Sequence, residues 1–205
     1  MNVTTVVVGA LAENCYLLRT HEGGGWIVDP GDEPQRILMA VKENGFTPQA
    51  VLLTHAHFDH MGAAAAVCAA LGLPLWVGAA DEGALSDPVR NLSALFGGPT
   101  LDSLQADRLL REGDRLRQGS ETLAVLETPG HTPGGICLVG EGLIISGDTL
   151  FEASAGRTDF PGGNPAALRA SLQKLASLPG DYTVYPGHGA ATTLETERRH
   201  NPFMP

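Results

Sequence analysis

Residues 55–60 read His-Ala-His-Phe-Asp-His, so four side chains able to bind a metal ion fall in one short stretch directly behind the apolar run 50–53. Three of the chain's seven histidines stand there. A strand ending in such a cluster delivers donors to a sheet edge, and the rest of the chain has to return further ligands to the same edge. In an extended segment His55, His57 and Asp59 project to one side, and His60 swings in where a helix begins. Three later stations share a local form, each behind a strand-like run and set against Gly or Pro: TPGHTPG with His131, SGDT with Asp148, and YPGHG with His188. Glycines at such points let the backbone come close and adopt dihedrals that other residues resist. His55, His57, Asp59, His60, His131, Asp148 and His188 are too many donors for one tetrahedral zinc ion; they suit two adjacent divalent ions with a bridging carboxylate. His21-Glu22 is not followed by a second His at the HExxH spacing and reads as part of a turn.

The frame that must carry these stations is a globular one. With 205 residues, 43% hydrophobic and 18% charged, the chain has enough apolar material for one substantial core, and a single domain over 1–205 is expected. The formal net charge of −10 argues against a nucleic-acid backbone as partner and leaves a small molecule as the expected one. Cys15, Cys68 and Cys137 form no CxxC pair and sit in apolar surroundings, as buried thiols of a reducing compartment do. The N-terminus lacks the basic segment of an export signal, so the cytoplasm is the expected location. Residues 61–80 contain no charge, but Gly72-Leu73-Pro74 breaks them; a buried helix and a buried strand account for the stretch without a membrane span.

Periodicity predicts strands at 3–8, 15–19, 26–28, 50–53, 75–77, 114–118, 122–127, 135–139, 142–145 and 182–185. Helices are predicted at 33–44, stopped by Gly45, at about 62–71, at 165–177 and near 192–199, the last opened by Thr192 or Thr193. Residues 80–112 read only as helical or irregular. Early strands, a helical middle and later strands suggest two sheets with helices packed outside.

The ordered set HxHxDH, lone His, lone Asp and last His resembles the metallo-β-lactamase superfamily over nearly the whole length. That resemblance implies an α/β fold, a four-layer αββα sandwich with the metals at one edge between the sheets. It assigns His55, His57 and His131 to a first ion, Asp59, His60 and His188 to a second, and Asp148 to both. Asp29, in VDPG, matches an early Asp that supports the ligand loops from behind. The segments TPGHTPGG, SGDTLF, GRTDFPGGN and PGHG resemble the glyoxalase II-like (hydroxyacylglutathione hydrolase-like) branch in a short bacterial form, without the helical C-terminal extension of the longer enzymes. Those enzymes carry a lysine and tyrosines near the site where this chain has Arg157, Asp159 and Ala190.

By that resemblance the activity is hydrolysis of a thioester such as S-lactoylglutathione through a metal-bound hydroxide, with zinc the expected metal and iron or manganese compatible. Asp59 would orient the water or receive its proton. Arg157 either holds a substrate carboxylate through its fork or pairs with Asp159 to brace the loop; Arg198 and Arg199 read as helix-terminal charges. The main alternative is an iron-dependent persulfide dioxygenase, which shares HxHxDH and GRTDF, although PGHG is the hydrolase-like form. Lactonase, phosphodiesterase and a non-catalytic metal-binding module rank below it, and the surplus of ligands counts against the last. An exported β-lactamase is not expected.

Overall fold

In a computed structural model, residues 1–96 and 104–204 are described. The chain runs β1 (Asn2–Val8), β2 (Glu13–Arg19), β3 (Gly24–Val28), α1 (Pro34–Asn44), β4 (Thr47–Leu53), α2 (Phe58–Met61), α3 (Ala64–Leu71) and β5 (Leu75–Gly78). A 3-10 turn at Ala79–Ala84 and a short helix α4 (Ser93–Phe96) lead towards β6 (Arg108–Leu110). Then come β7 (Arg115–Gln118), β8 (Glu121–Glu127), β9 (Ile136–Gly140), β10 (Leu143–Gly147) and a small hairpin of β11 (Leu150–Phe151) with β12 (Ser154–Ala155). The chain finishes with α5 (Pro165–Ala176), β13 (Thr183–Pro186), β14 (Thr192–Thr193) and α6 (Leu194–His200).

Two six-stranded mixed sheets result, ordered β1-β2-β3-β4-β5-β6 and β14-β13-β10-β9-β8-β7. Strand side chains alternate between faces, and here both faces are covered, so most inner strands read as continuous apolar runs. Tyr16, Leu18, Trp26, Val28, Ala50 and Leu52 of the first sheet meet Leu123, Val125, Leu138 and Ile145 of the second in a central core. The opposite faces of the same strands bury Cys15, Leu17, Ile27, Val51 and Leu53 with Ile37, Val41 and Val67 of the helices α1 and α3. Cys137, Ile144 and Val184 pack against Leu168, Leu172 and Leu175 of α5 and Leu194 of α6. The result is the expected four-layer α/β sandwich.

Local chemistry sets the ends of the elements. Gly45 closes α1 in the left-handed conformation (φ 60°). Asn164 caps α5 by accepting from the amides of Ala166 and Ala167, with Pro165 in the first turn. Thr193, one of the two expected caps, accepts from the Thr196 amide. No helix among the described residues is long and apolar enough to cross a membrane.

The structure adds the short hairpin β11–β12 and makes Thr192–Thr193 the strand β14 ahead of the last helix, and it departs further from the sequence expectation around the donor cluster and in the middle of the chain. Residues 55–59 are not a continuous extended segment: Asp59 and His60 both lie in the helical turn α2, whose first residue follows His57. Asp59 therefore reaches the site from a helix and not by strand alternation. The reading of 80–112 as helical or irregular covers the 3-10 turn and α4 but misses β6, three residues long; its portion at 97–103 falls outside the described residues.

Candidate metal centre

All seven expected donors converge at one edge of the sandwich, between the two sheets. His55 and His57 lie on the loop after β4, Asp59 and His60 on α2, His131 between β8 and β9, Asp148 after β10, and His188 after β13. Four donors thus come from the first half of the chain and three from the second. Ligand atoms of His55, His57 and His131 lie within 4.8 Å of one another, as do those of Asp59, His60 and His188. His55 Nε2 and His131 Nε2 stand 3.1 and 2.9 Å from His57 Nδ1. In the second set His188 Nε2 lies 3.3 Å from Asp59 Oδ2. Asp148 faces both, with Oδ1 3.4 Å from His60 Nε2 and Oδ2 3.4 Å from His131 Nε2.

The outward nitrogens decide which ring atoms present lone pairs inward. Asp29 accepts from the Thr54 amide (2.7 Å) and from the Thr54 hydroxyl (2.6 Å), so that hydroxyl accepts in turn from His55 Nδ1 at 3.1 Å. The same carboxylate accepts a hydrogen bond from His60 Nδ1 at 3.0 Å. His131 Nδ1 donates to the Arg157 carbonyl (2.7 Å) and His188 Nδ1 to the Leu11 carbonyl (3.1 Å). Four imidazoles are thereby held with Nε2 as the inward atom, the arrangement a metal ligand needs. Asp29, expected to support the loops from behind, does so for two of them from a left-handed backbone conformation (φ 50°).

These residues fit a pair of cations. His60 Nε2 and Asp148 Oδ1 are buried and have no hydrogen-bond partner, and nitrogens of three rings face one another across about the length of a single hydrogen bond. Electrostatics points the same way. Burial, then His131 and His60, push His57 down to about 3, so it is a neutral donor at physiological pH. Burial opposes ionisation of Asp148, but His60, His131 and His188 outweigh it and hold the carboxyl below the usual range. Gly187 makes room for the pair: a Cβ there would collide with Asp148 Oδ1 and crowd His60.

Three residues that serve the site were not legible as such. Asp81 is buried and ties two ligand loops together, accepting from the Ala56 amide (3.1 Å), the Thr132 hydroxyl (2.8 Å) and the Gly134 amide (2.7 Å). Asn14 binds carbonyls on both sides of His188, those of Pro186 and Gly189. Glu13 is buried with neither carboxylate oxygen hydrogen-bonded, 3.8 Å from His60 Nδ1, and burial pushes its pKa well above the usual range. A lone Asp, Asn or Glu carries no spacing signal, so each became visible only through its partners.

Beside the donors opens a cavity of about 610 Å³, reached by Asp59, Asp148, His57, His131 and His188. Arg157 lies on its wall, where Nε and Nη2 form a fork on Asp159 at 2.7 and 2.6 Å. Of the two roles weighed for Arg157, the geometry displays the loop-bracing pair. Arg198 is remote from the cavity and donates to the carbonyls of Ala176, Leu178 and Gly180, behind the end of α5.

Comparison with known proteins gives the same picture. A family model described as "Metallo-beta-lactamase superfamily" matches residues 8–188. The hydroxyacylglutathione hydrolase GloC of Haemophilus influenzae is 35% identical, covering 100% of this chain and 98% of its own. Among solved structures, BLEG-1 B3 metallo-beta-lactamase superposes with a TM-score of 0.93 at 38% identity, covering 99% of each chain. TTHA1623, in a di-iron-bound form, superposes with a TM-score of 0.89 at 43% identity over 98% of this chain and 100% of its own.

Proposed function

The chain belongs to the metallo-beta-lactamase superfamily, and from that membership we propose a binuclear metallohydrolase that cleaves a thioester, with S-lactoylglutathione as the reference substrate. One observation carries the proposal: two three-donor sets with the Asp148 carboxylate facing both, at the inner end of a substrate-sized cavity. His55, His57 and His131 would hold one ion and Asp59, His60 and His188 the other. Zinc is the first assignment, and iron and manganese suit the same donors. Bound there, two ions supply a water of lowered pKa and polarise a carbonyl.

The chain's own side chains supply the rest. Asp59 reaches the cavity, and its carboxylate can orient the attacking water and accept the proton it sheds. Asp29 and Thr54 keep His55 and His60 in the required tautomer through the reaction. Phe58 and Phe160 line the cavity beside the donors, Phe160 standing edge-on to His57 and His131. No cysteine is among the described residues of the cavity wall, in keeping with direct attack by water and not by a protein nucleophile. The PGHG form of the segment around His188 favours this reading over a persulfide dioxygenase, which shares HxHxDH and GRTDF.

The test is loss of thioester absorbance from S-lactoylglutathione, using protein of measured metal content and a chelated control. Metal-dependent turnover supports the proposal. A protein with two ions bound that leaves every thioester offered intact refutes it, and oxygen uptake with glutathione persulfide then tests the dioxygenase. A cephalosporin belongs in the same panel because of the likeness to BLEG-1.

A further inference from the structure

The cavity wall away from the donors is apolar and largely aromatic. Leu11, Phe58, Leu92, Phe96, Phe151 and Phe160 line it. Phe58 and Phe96 stack with centroids 6.1 Å apart, and Phe96 meets Phe160 edge to face at 5.7 Å, so the three rings form a continuous wall. Phe96 is 55% exposed, so its ring is open to the cavity side of that wall.

Charge in the same wall is equally specific. Among the described lining residues, Arg157 is the one Lys or Arg. Asp159 takes the Nε–Nη2 edge of its guanidinium, whose central carbon sits 4.0 Å from the centroid of Phe160. A substrate carboxylate would meet a guanidinium whose charge Asp159 already offsets in bidentate contact. Glu152, also on the wall, adds a negative charge.

We infer that this wall favours, as the substrate arm lying along it, an apolar, uncharged aryl or alkyl group over a peptide thiol with free carboxylates such as glutathione. The inference rests on the thioesterase reading for the acyl half of the substrate, and it narrows the leaving thiol. Aromatic and alkyl groups gain by burial against three rings. Two carboxylates brought to the same wall would lose hydration and meet only the one cation already paired with Asp159.

The experiment compares two thiols on metal-loaded protein, by calorimetric titration with benzyl mercaptan and with glutathione, metal content being checked before and after. Both present the same thiol, so their difference reports the arm. Benzyl mercaptan is expected to bind at least about tenfold more tightly. Phe96→Ala should remove most of that preference by weakening benzyl mercaptan alone. Asp159→Asn should free Arg157 and tighten glutathione. Equal or tighter binding of glutathione by the unaltered protein overturns the inference, as does a preference for benzyl mercaptan that survives Phe96→Ala undiminished. A parallel turnover assay with the lactoyl thioesters of both thiols separates the two ideas. Failure to cleave either ester defeats the thioesterase reading while the binding comparison still decides the character of the wall.

Discussion

Asn14 holds the loop that carries His188: its side-chain amide donates to the carbonyls of Pro186 and Gly189, both at 2.9 Å, while its backbone amide donates to Gly187 at 2.8 Å. β2 of the first sheet thus grips a ligand loop of the second on both sides of the ligand. Asn14→Asp keeps the shape but places an acceptor against two carbonyls. A stability loss of about 1–3 kcal/mol is expected, together with weakened binding of one of the two ions. Thermal unfolding with and without chelator, alongside metal analysis, reads both effects. An unchanged melting temperature and full metal content would show that the grip is dispensable.

Asp148→Ala removes the carboxylate facing both donor sets. At least one metal equivalent per chain should be lost, and hydrolysis should fall by orders of magnitude, as expected when a two-ion clamp is broken. Metal analysis after gel filtration is the direct check. Retention of two equivalents by this variant would sink the bridging assignment.

Metal uptake should release protons. Burial by itself would lower the His60 pKa, but Asp148 and Asp59 outweigh it and hold the imidazole well above its ordinary value in the metal-free protein. His60 Nε2 must therefore shed its proton to coordinate, and affinity should fall as pH drops and rise as pH increases. Competition with a zinc chelator at about pH 6 and about pH 8 measures the slope. Equal affinities at the two values would contradict the assignment of His60 as a ligand.

Arg198 gives a prediction of stability without catalysis. It donates to the carbonyls of Ala176 (2.9 Å) and Gly180 (2.7 Å) and to that of Leu178, behind α5 and away from the cavity. Arg198→Ala should cost about 1–3 kcal/mol of stability with kcat/KM changed little at a temperature where the variant is folded. A selective loss of turnover in a fully folded variant would give Arg198 a role at the substrate after all.

Much of this arrangement was readable in one dimension, for reasons that also explain the gaps. Strands covered on both faces appear as apolar runs, so β2, β4 and β10 stand out, and α1 and α5 carry their own stop and start residues. The donors stand out because four crowd into 55–60 and the others sit in glycine-rich turns. The hairpin Leu150–Phe151 with Ser154–Ala155 is too short to leave a period, although Phe151 and Ala155 reach the cavity wall. Asp81 lies in a segment without pattern, and its meaning comes from the partners Ala56, Thr132 and Gly134, which only the folded chain brings to it. The role of Arg157 depended on whether Asp159 reached its fork, and two residues of separation in sequence do not decide that.

The division of the ligands between the two sheets has a consequence for how the protein matures. His55, His57, Asp59 and His60 are synthesised long before His131, Asp148 and His188, and neither group makes the full cradle. Tight binding of two ions must wait until the sheets have docked and β13 has entered beside β10. Metal loading is then a late event in the life of each molecule, and an ion held there works as a rivet, reporting that the last large assembly step has been completed.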